Sequence, residues 1–211
     1  MNYPDTVILV YAKAPVAGQV NTRLIPDIGQ TAATQLQEDL IHQRLTTLTQ
    51  STLCDVVLLC APDEDHEVFL QCKQRYPIRL LRQIGDDLGE RMANGIKHFL
   101  QRYQYCIVVG TDAPILDADQ IIKAIDVLHD GEGVVFVPAE DGGYVLVGMN
   151  KPHSFLFEGI RWGTETVMQQ SRNKLVENNV SFVELDQCWD IDCLTDYKRY
   201  MKMFNSKQCG I

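Results

Sequence analysis

Charged residues with chemistry in reach fall in short strings along the sequence. The first string, A-K-A-P-V-A-G-Q-V-N-T-R-L from Ala12 to Leu24, holds Lys13 and Arg23 with Gly18 between them. Lys offers a point charge and Arg a planar fork, and both suit phosphate oxygens. Pro15 stiffens the backbone, while Gly18 permits close approach or a positive φ. The loop is longer than the usual strand-to-helix connection, and long loops are often functional. A solvated surface loop accounts for the same residues equally well.

Three further strings are acidic. In G-T-D-A-P, Gly110 to Pro114, Asp112 follows a strand. A carboxylate there can hold Mg²⁺ or Mn²⁺ bridged to ligand phosphates; an Asx-turn before Pro114 uses the same residue. In P-A-E-D-G-G-Y, Pro138 to Tyr144, the glycines suit a tight hairpin. Adjacent Glu140 and Asp141 are candidates to orient an acceptor hydroxyl or take its proton. In W-D-I-D, Trp189 to Asp192, an extended backbone points Asp190 and Asp192 the same way. With Asp112 they make a set of hard oxygen donors. Asp192 or Thr195 serves equally as an N-cap. Two smaller strings add Arg91, in the first turn of a helix and in need of Asp87, Glu90 or a ligand as anionic partner, and Trp162-Gly163-Thr164-Glu165-Thr166, an aromatic face with hydroxyls.

Other chemistries lack their motifs. G-x-x-x-x-G-K-[ST] and G-x-G-x-x-G are absent, as is H-E-x-x-H. So is the G-x-S-x-G nucleophile elbow. A net charge of −9 disfavours a nucleic-acid partner. A phosphate ligand then needs local cations or a bridging metal.

The elements that must position these residues alternate in type. Apolar runs at Val7 to Ala12, Val56 to Ala61, Ile78 to Leu81, Tyr105 to Val109, Val134 to Val137, Tyr144 to Met149 and Val180 to Leu185 read as strands. Helical spacing links Ala33, Leu36, Leu40, Ile41, Leu45 and Leu48, and later Leu88, Met92, Ile96, Phe99 and Leu100. Pro62 and Asp63 are expected to open a helix with Val68, Phe69 and Cys72 inward. Asp117 suits an N-cap with Gln120 opposite it and Leu116 and Ile121 as a staple. Thr164 is expected to cap a helix to about Glu177, and Leu194, Tyr197, Tyr200, Met201 and Phe204 form a last one. This alternation implies a mostly parallel sheet covered on both faces, a three-layer α/β/α fold. The short turn at Gly142-Gly143 forces one antiparallel strand, so the sheet is mixed. Ligands of such sheets bind beyond the carboxyl ends of the strands.

At 211 residues the expectation is one domain, 1–211. The seven cysteines, Cys54, Cys60, Cys72, Cys106, Cys188, Cys193 and Cys209, are odd in number and contain no C-x-x-C. Most sit by apolar runs and read as buried thiols in a reducing compartment. The apolar stretch at Val7 is short for a signal peptide and no run is long enough to span a membrane. A cytoplasmic location is expected.

Together, in order, A-K-A-P-V-x-G-x-V-x-T-R-L, D-D-L-G-E-R-M, G-T-D-A-P, P-A-E-D-G-G-Y, W-x-T-E-T and D-I-D resemble one family. It is the small glycosyltransferase-like proteins of the nucleotide-diphospho-sugar transferase (GT-A) fold, of the type associated with arsenosugar biosynthesis. These are similar to the molybdenum-cofactor and phospholactate nucleotidylyltransferases. The resemblance runs from Val7 to about Tyr200. It implies a nucleotide site lined by Ala12, Lys13, Ala14, Pro15, Gly18, Thr22, Arg23, Arg91, Thr111, Gly142, Gly143, Tyr144, Trp162 and Thr164. It implies a divalent metal, Mg²⁺ or Mn²⁺, on Asp112, Asp190 and Asp192. Lys13, Arg23, Glu140 and Asp141 become the catalytic candidates. The implied reaction is glycosyl transfer from a nucleotide-sugar to a small-molecule acceptor. The alternative is nucleotidylyl transfer from an NTP to a phosphorylated small molecule, with pyrophosphate released. One departure is Asn21, where the family's loop commonly carries Lys or Arg.

Overall fold

The computed structural model describes residues 2–50 and 52–208, the last five of these by backbone alone. Cys209 and the Phe204 side chain lie outside the described residues. Strands β1 (Thr6–Lys13), β2 (Asp55–Ala61), β3 (Arg79–Arg82), β4 (Tyr105–Val109), β5 (Val134–Pro138), β6 (Tyr144–Met149) and β7 (Phe182–Glu184) form one sheet in the order β3-β2-β1-β4-β6-β5-β7. Only β6 runs antiparallel to its neighbours, β4 and β5; the remaining pairs are parallel. The mixed sheet therefore arises where the Gly142-Gly143 turn requires it.

Helices α1 (Ile25–Gln50), α2 (Glu67–Arg75), α3 (Leu88–Phe99), α4 (Ala118–His129), α5 (Val167–Glu177) and α6 (Leu194–Gln208) complete the described elements. Alternate residues of β1 serve opposite faces. Ile8, Val10 and Ala12 share a core with Ile41 and Leu45 of α1, Phe69 of α2 and Ile125 of α4. Val7, Leu9 and Tyr11 share another with Met92 and Ile96 of α3 and Met168 and Leu175 of α5. A strand buried on both faces has no polar alternation, which is why its sequence is a continuous apolar run. A third cluster joins Leu36 and Leu40 of α1 to Trp189, Ile191 and Tyr200, and so seats α6 and the strip before it.

Two helix starts and one cap differ from expectation. α2 begins at Glu67, because Asp63 accepts the Asp65 N–H in a tight turn and His66 takes the cap, accepting from Val68 N. α5 begins at Val167, because the Thr164 hydroxyl donates to the Arg161 carbonyl. At α6 the Asp196 carboxylate accepts the Asp192 and Cys193 N–H groups, so Asp192 is free of a capping duty. Asp117 caps α4 through Gln120 N as expected. The Gln120 amide instead reaches the Asp186 carbonyl. Inside α1, Gly29 takes a left-handed φ of +82° and interrupts the helix before its apolar stripe begins.

Cys54, Cys60, Cys72, Cys106 and Cys188 are buried free thiols; Cys193 is exposed. Among the described residues no helix is long and apolar enough to cross a membrane.

Candidate functional site

The chain steps outward from β1 to β2 to β3, then returns to place β4 on the other side of β1. That reversal opens a crevice at the carboxyl ends of β1 and β4, where open α/β sheets bind ligands. A cavity of about 610 Å³ lies there. The loop after β1 forms one wall, the loops after β4 and β5 and the strip 190–192 another, and Leu88, Met92 and Trp162 a third side. Because β6 is reversed, its first residue, Tyr144, stands opposite Pro138 at the same rim.

The first wall is cationic and exposed. Lys13 ends β1 and donates from Nζ to the Gln19 carbonyl at 2.7 Å, which folds the loop back on itself. Arg23 ion-pairs with Asp192 across the mouth, and its side chain is 65% exposed. Asn21 has a φ of +47°, a left-handed conformation that Asn tolerates better than Lys or Arg. Its side chain donates to the Ala33 carbonyl and ties the loop to α1. The residue that costs the loop one charge is thus the one that anchors it. Ala12 also lines the cavity. Ala14 and Pro15 are buried, and Gly18 and Thr22 face away from the cavity lining; all four shape the loop. Gly18 supplies the positive φ expected of it, +79°.

The second wall is acidic. Asp112, Asp141, Asp190 and Asp192 all line the cavity. Gly110 makes room for this: a Cβ there would lie 2.6 Å from Asp112 Oδ1. Asp112 opens onto the cavity but is set deep in the protein. The desolvation that comes with this depth raises its carboxyl above the usual range; a hydrogen bond from its own backbone N–H opposes the shift, Asp192 adds to it, Arg44 opposes it, and Asp141 adds to it. The Asp190 carboxyl is pushed up to about 7 by burial and then by Asp112, Asp141 and Asp192. Asp141 accepts the Gly143 N–H at 2.8 Å through Oδ1. Its neighbour Glu140 turns away and ion-pairs with Arg199 at 3.0 Å, outside the cavity lining. The expectation that either acid of the pair serves the site therefore narrows to Asp141, because consecutive side chains here diverge and only one meets the cavity.

A hard cation fits this donor set. Asp112, Asp141 and Asp192 lie close enough to Asp190 to add to the upward shift that burial gives its carboxyl, and a cation among them would offset that repulsion. Among the described residues no group of three or more His, Cys, Asp or Glu is placed to hold a metal alone. Mg²⁺ usually needs no such cage; one or two carboxylates, waters and substrate phosphates suffice. Asp112 and Asp190 meet that description, while Asp192 is engaged by Arg23.

The remaining candidates divide. Arg91, Thr111, Gly143, Tyr144, Trp162 and Thr164 line the cavity. Arg91 has no ion pair among the described residues, so neither Asp87 nor Glu90 is the anionic partner its helix position called for; its Nε donates to the Gly85 carbonyl. Trp162 stacks on Phe157 and packs edge-on against Tyr144. Gly142 stands behind the lining, with a φ of +90° and the Glu165 carbonyl 2.1 Å from where a Cβ would be. It lets the turn touch the start of α5, where Met168 N donates to its carbonyl.

Two supporting residues escape motif reading. Gln83 lines the cavity and donates to the Ala12 and Leu59 carbonyls, pinning the ends of β1 and β2. Gln37, on α1, donates to the Lys13 carbonyl. Gln37 shares an i, i+4 row with Ala33, Ile41 and Leu45, so a polar residue in an apolar row is the signal that finds it.

A family model described as "Uncharacterized protein conserved in bacteria (DUF2064)" matches residues 44–164. No curated protein matches the sequence. Solved structures do resemble this one. A candidate nucleotide-diphospho-sugar transferase from Desulfovibrio desulfuricans G20 is 28% identical, with a TM-score of 0.81 over 90% of this chain and 83% of that one. A nucleotidyl transferase from Methanothermobacter thermautotrophicus is 12% identical, with a TM-score of 0.66 over 96% and 98% of the two chains. CMP:2-keto-3-deoxy-manno-octonic acid synthetase complexed with CTP is 9% identical, with a TM-score of 0.63 over 96% and 99%.

Proposed function

The chain belongs to the DUF2064 family and has the nucleotide-diphospho-sugar transferase fold, and we propose that it transfers a glycosyl group from a nucleotide-sugar to a small-molecule acceptor with the help of a divalent metal. The observation that carries this reading is the opposition of Lys13 and Arg23 to Asp112, Asp141 and Asp190 across one cavity at the strand-order reversal. Cations and metal-binding acids facing each other suit a diphosphate. The finer assignment, to the type associated with arsenosugar biosynthesis, rests on the order of motifs. We place the enzyme in a reducing cytoplasm, acting as one domain over 1–211, because its buried cysteines are free thiols.

In this mechanism Lys13 and Arg23 contact the diphosphate and balance the charge that grows on it. Arg23 gives up Asp192 to do so. Asp112 and Asp190 would hold the metal, with Asp192 the further oxygen donor beside them. The bound metal supplies Lewis-acid neutralisation of the leaving diphosphate. Trp162, Tyr144, Leu88 and Met92 give the sugar and acceptor an apolar surface. Asp141 takes the acceptor hydroxyl proton as the acceptor oxygen bonds to the anomeric carbon. The bond from that carbon to the diphosphate oxygen breaks, and the nucleoside diphosphate leaves.

The test is a thermal-shift screen of nucleotides and nucleotide-sugars with and without Mn²⁺, since bound ligand raises apparent stability by mass action. A hit that requires Mn²⁺ is expected. Incubating that donor with an acceptor panel then identifies the product. Free nucleoside diphosphate is the expected result. Pyrophosphate from an NTP would replace this reading with nucleotidylyl transfer. Tight binding without any turnover would make the protein a nucleotide-sensing module.

A further inference from the structure

Arg44 is 3% exposed, in the middle of α1, and makes no ion pair among the described residues. Its guanidinium donates to three main-chain carbonyls: Nε to Gly110, Nη1 to Leu116 and Nη2 to Ala113. All three belong to the loop after β4 that carries Asp112. Next to it, Gln43 Nε2 donates to the Pro114 carbonyl at 2.9 Å. The Asp112 carbonyl, inside the clamped loop, accepts the Ile191 N–H at 3.0 Å. Ile191 lies between Asp190 and Asp192. One guanidinium therefore fixes the loop of the first acid, and that loop fixes the strip of the other two.

A buried cation without a carboxylate partner is a costly way to stabilise a helix. Arg44 stands in the same i, i+4 row as Leu36, Leu40 and Leu48, where a Leu or Met would pack at less cost. Its planar fork does what an apolar residue cannot: it satisfies several carbonyls of a tight loop from one fixed point. Its charge is also one of the few that opposes the mutual repulsion of the acids, through Asp112.

We propose that Arg44 is a positioning residue that sets the spacing of Asp112, Asp190 and Asp192 and so the affinity of the site for its divalent cation. The proposal rests on the reading of those acids given above. It assigns Arg44 no contact with substrate.

The test uses the full chain with Arg44→Lys, which keeps the charge but not the fork, and Arg44→Gln, which keeps donors but not the charge. Free Mn²⁺ is read by electron paramagnetic resonance, with the nucleoside diphosphate that stabilises the wild type. Amide hydrogen exchange is read in the metal-free protein. In folded Arg44→Lys the expected loss of Mn²⁺ affinity is about 10- to 100-fold, the usual effect of removing a residue that orients ligands. Nucleotide affinity without metal should change by less than about threefold on the same basis. Exchange at Ile191 should rise while β1 amides stay protected. Unchanged Mn²⁺ affinity and unchanged Ile191 exchange in a folded variant overturn the proposal. So does an equal loss of affinity with and without metal, and so does failure of both variants to fold, either of which makes Arg44 a residue of the core alone. If the wild type binds neither Mn²⁺ nor nucleotide, the functional reading fails, and the exchange experiment still decides whether Arg44 sets the acidic strip.

Discussion

The cavity's two walls are held in opposite ways. The cationic wall is a surface loop tied to α1 through Asn21 and Gln37, and its charges sit on exposed side chains, Lys13 bonded to Gln19 six residues away and Arg23 reaching across the mouth to Asp192. The acidic wall is fastened from the interior by Arg44 and Gln43 and stitched to a distant strip through Ile191. One wall thus offers long exposed side chains, and the other offers carboxylates on a loop held from beneath. A cation site needs fixed oxygens, whereas a diphosphate can be followed by long flexible side chains.

That contrast can be broken at several points. The largest effect is expected within the acidic wall. Asp141→Asn should lower kcat by roughly 10²- to 10⁴-fold, as loss of a general base does, while Glu140→Gln should change it by less than about twofold. Equal losses would return Glu140 to the site. Next, Asp112→Asn should weaken Mn²⁺-dependent nucleotide binding by about 100-fold or more in calorimetry, beyond what removal of an orienting residue costs. Binding that survives unchanged would remove the metal assignment. On the other wall, Arg23→Ala should cost roughly tenfold in affinity at low salt, the worth of a hydrogen bond to a charged group. This deficit should shrink as salt is raised, because exposed charges are screened. The Asp112→Asn deficit should persist at high salt. If both behave alike, the walls do not differ in the way described.

The smallest effect concerns pH. The Asp190 carboxyl titrates near 4 when unfolded and at about 7 when folded. Between these values the folded chain holds a proton that the unfolded chain has released. Its contribution to stability is therefore present below about pH 4 and lost as pH rises through 7. Without metal, the melting temperature of Asp190→Asn should gain on the wild type by a few °C between pH 5 and pH 8. Added Mn²⁺ should close that gap. A gap that does not vary with pH would mean that Asp190 is ordinarily solvated.

The two walls were also unequally legible. Lys13, Arg23, Asp112, Asp141 and Asp190 stood out as candidates because they are charges in loops after strands, although a turn or a solvated loop could also account for some of them. The alternation of elements led to the mostly parallel sheet, and the short Gly142-Gly143 turn to its one antiparallel strand. What supports the acidic wall was hidden, since Arg44 bonds to main-chain carbonyls, and carbonyls have no letter in a sequence. Its trace is a cation in the row Leu36, Leu40, Leu48, which is visible only once the helix is taken as given. The split between Glu140 and Asp141 was likewise out of reach. It depends on which of two consecutive, diverging side chains meets the cavity and which meets Arg199. The late starts of α2 and α5 turned on single hydrogen bonds, at Asp63 and Thr164, that compete with capping.

The bond from Arg23 to Asp192 spans 169 residues. At ordinary rates of translation that separation corresponds to roughly 10 to 30 s on the ribosome. For all of that interval the nascent chain carries its first loop, and later Asp112, with no strip to complete the pocket. The strands from β1 to β6 can pair and collapse meanwhile, for their contacts do not wait on residue 190. A chain interrupted before the strip would thus retain much of its sheet and none of its finished site. The strip meets the rest of the molecule together with α6, where Trp189, Ile191 and Tyr200 pack on Leu36 and Leu40.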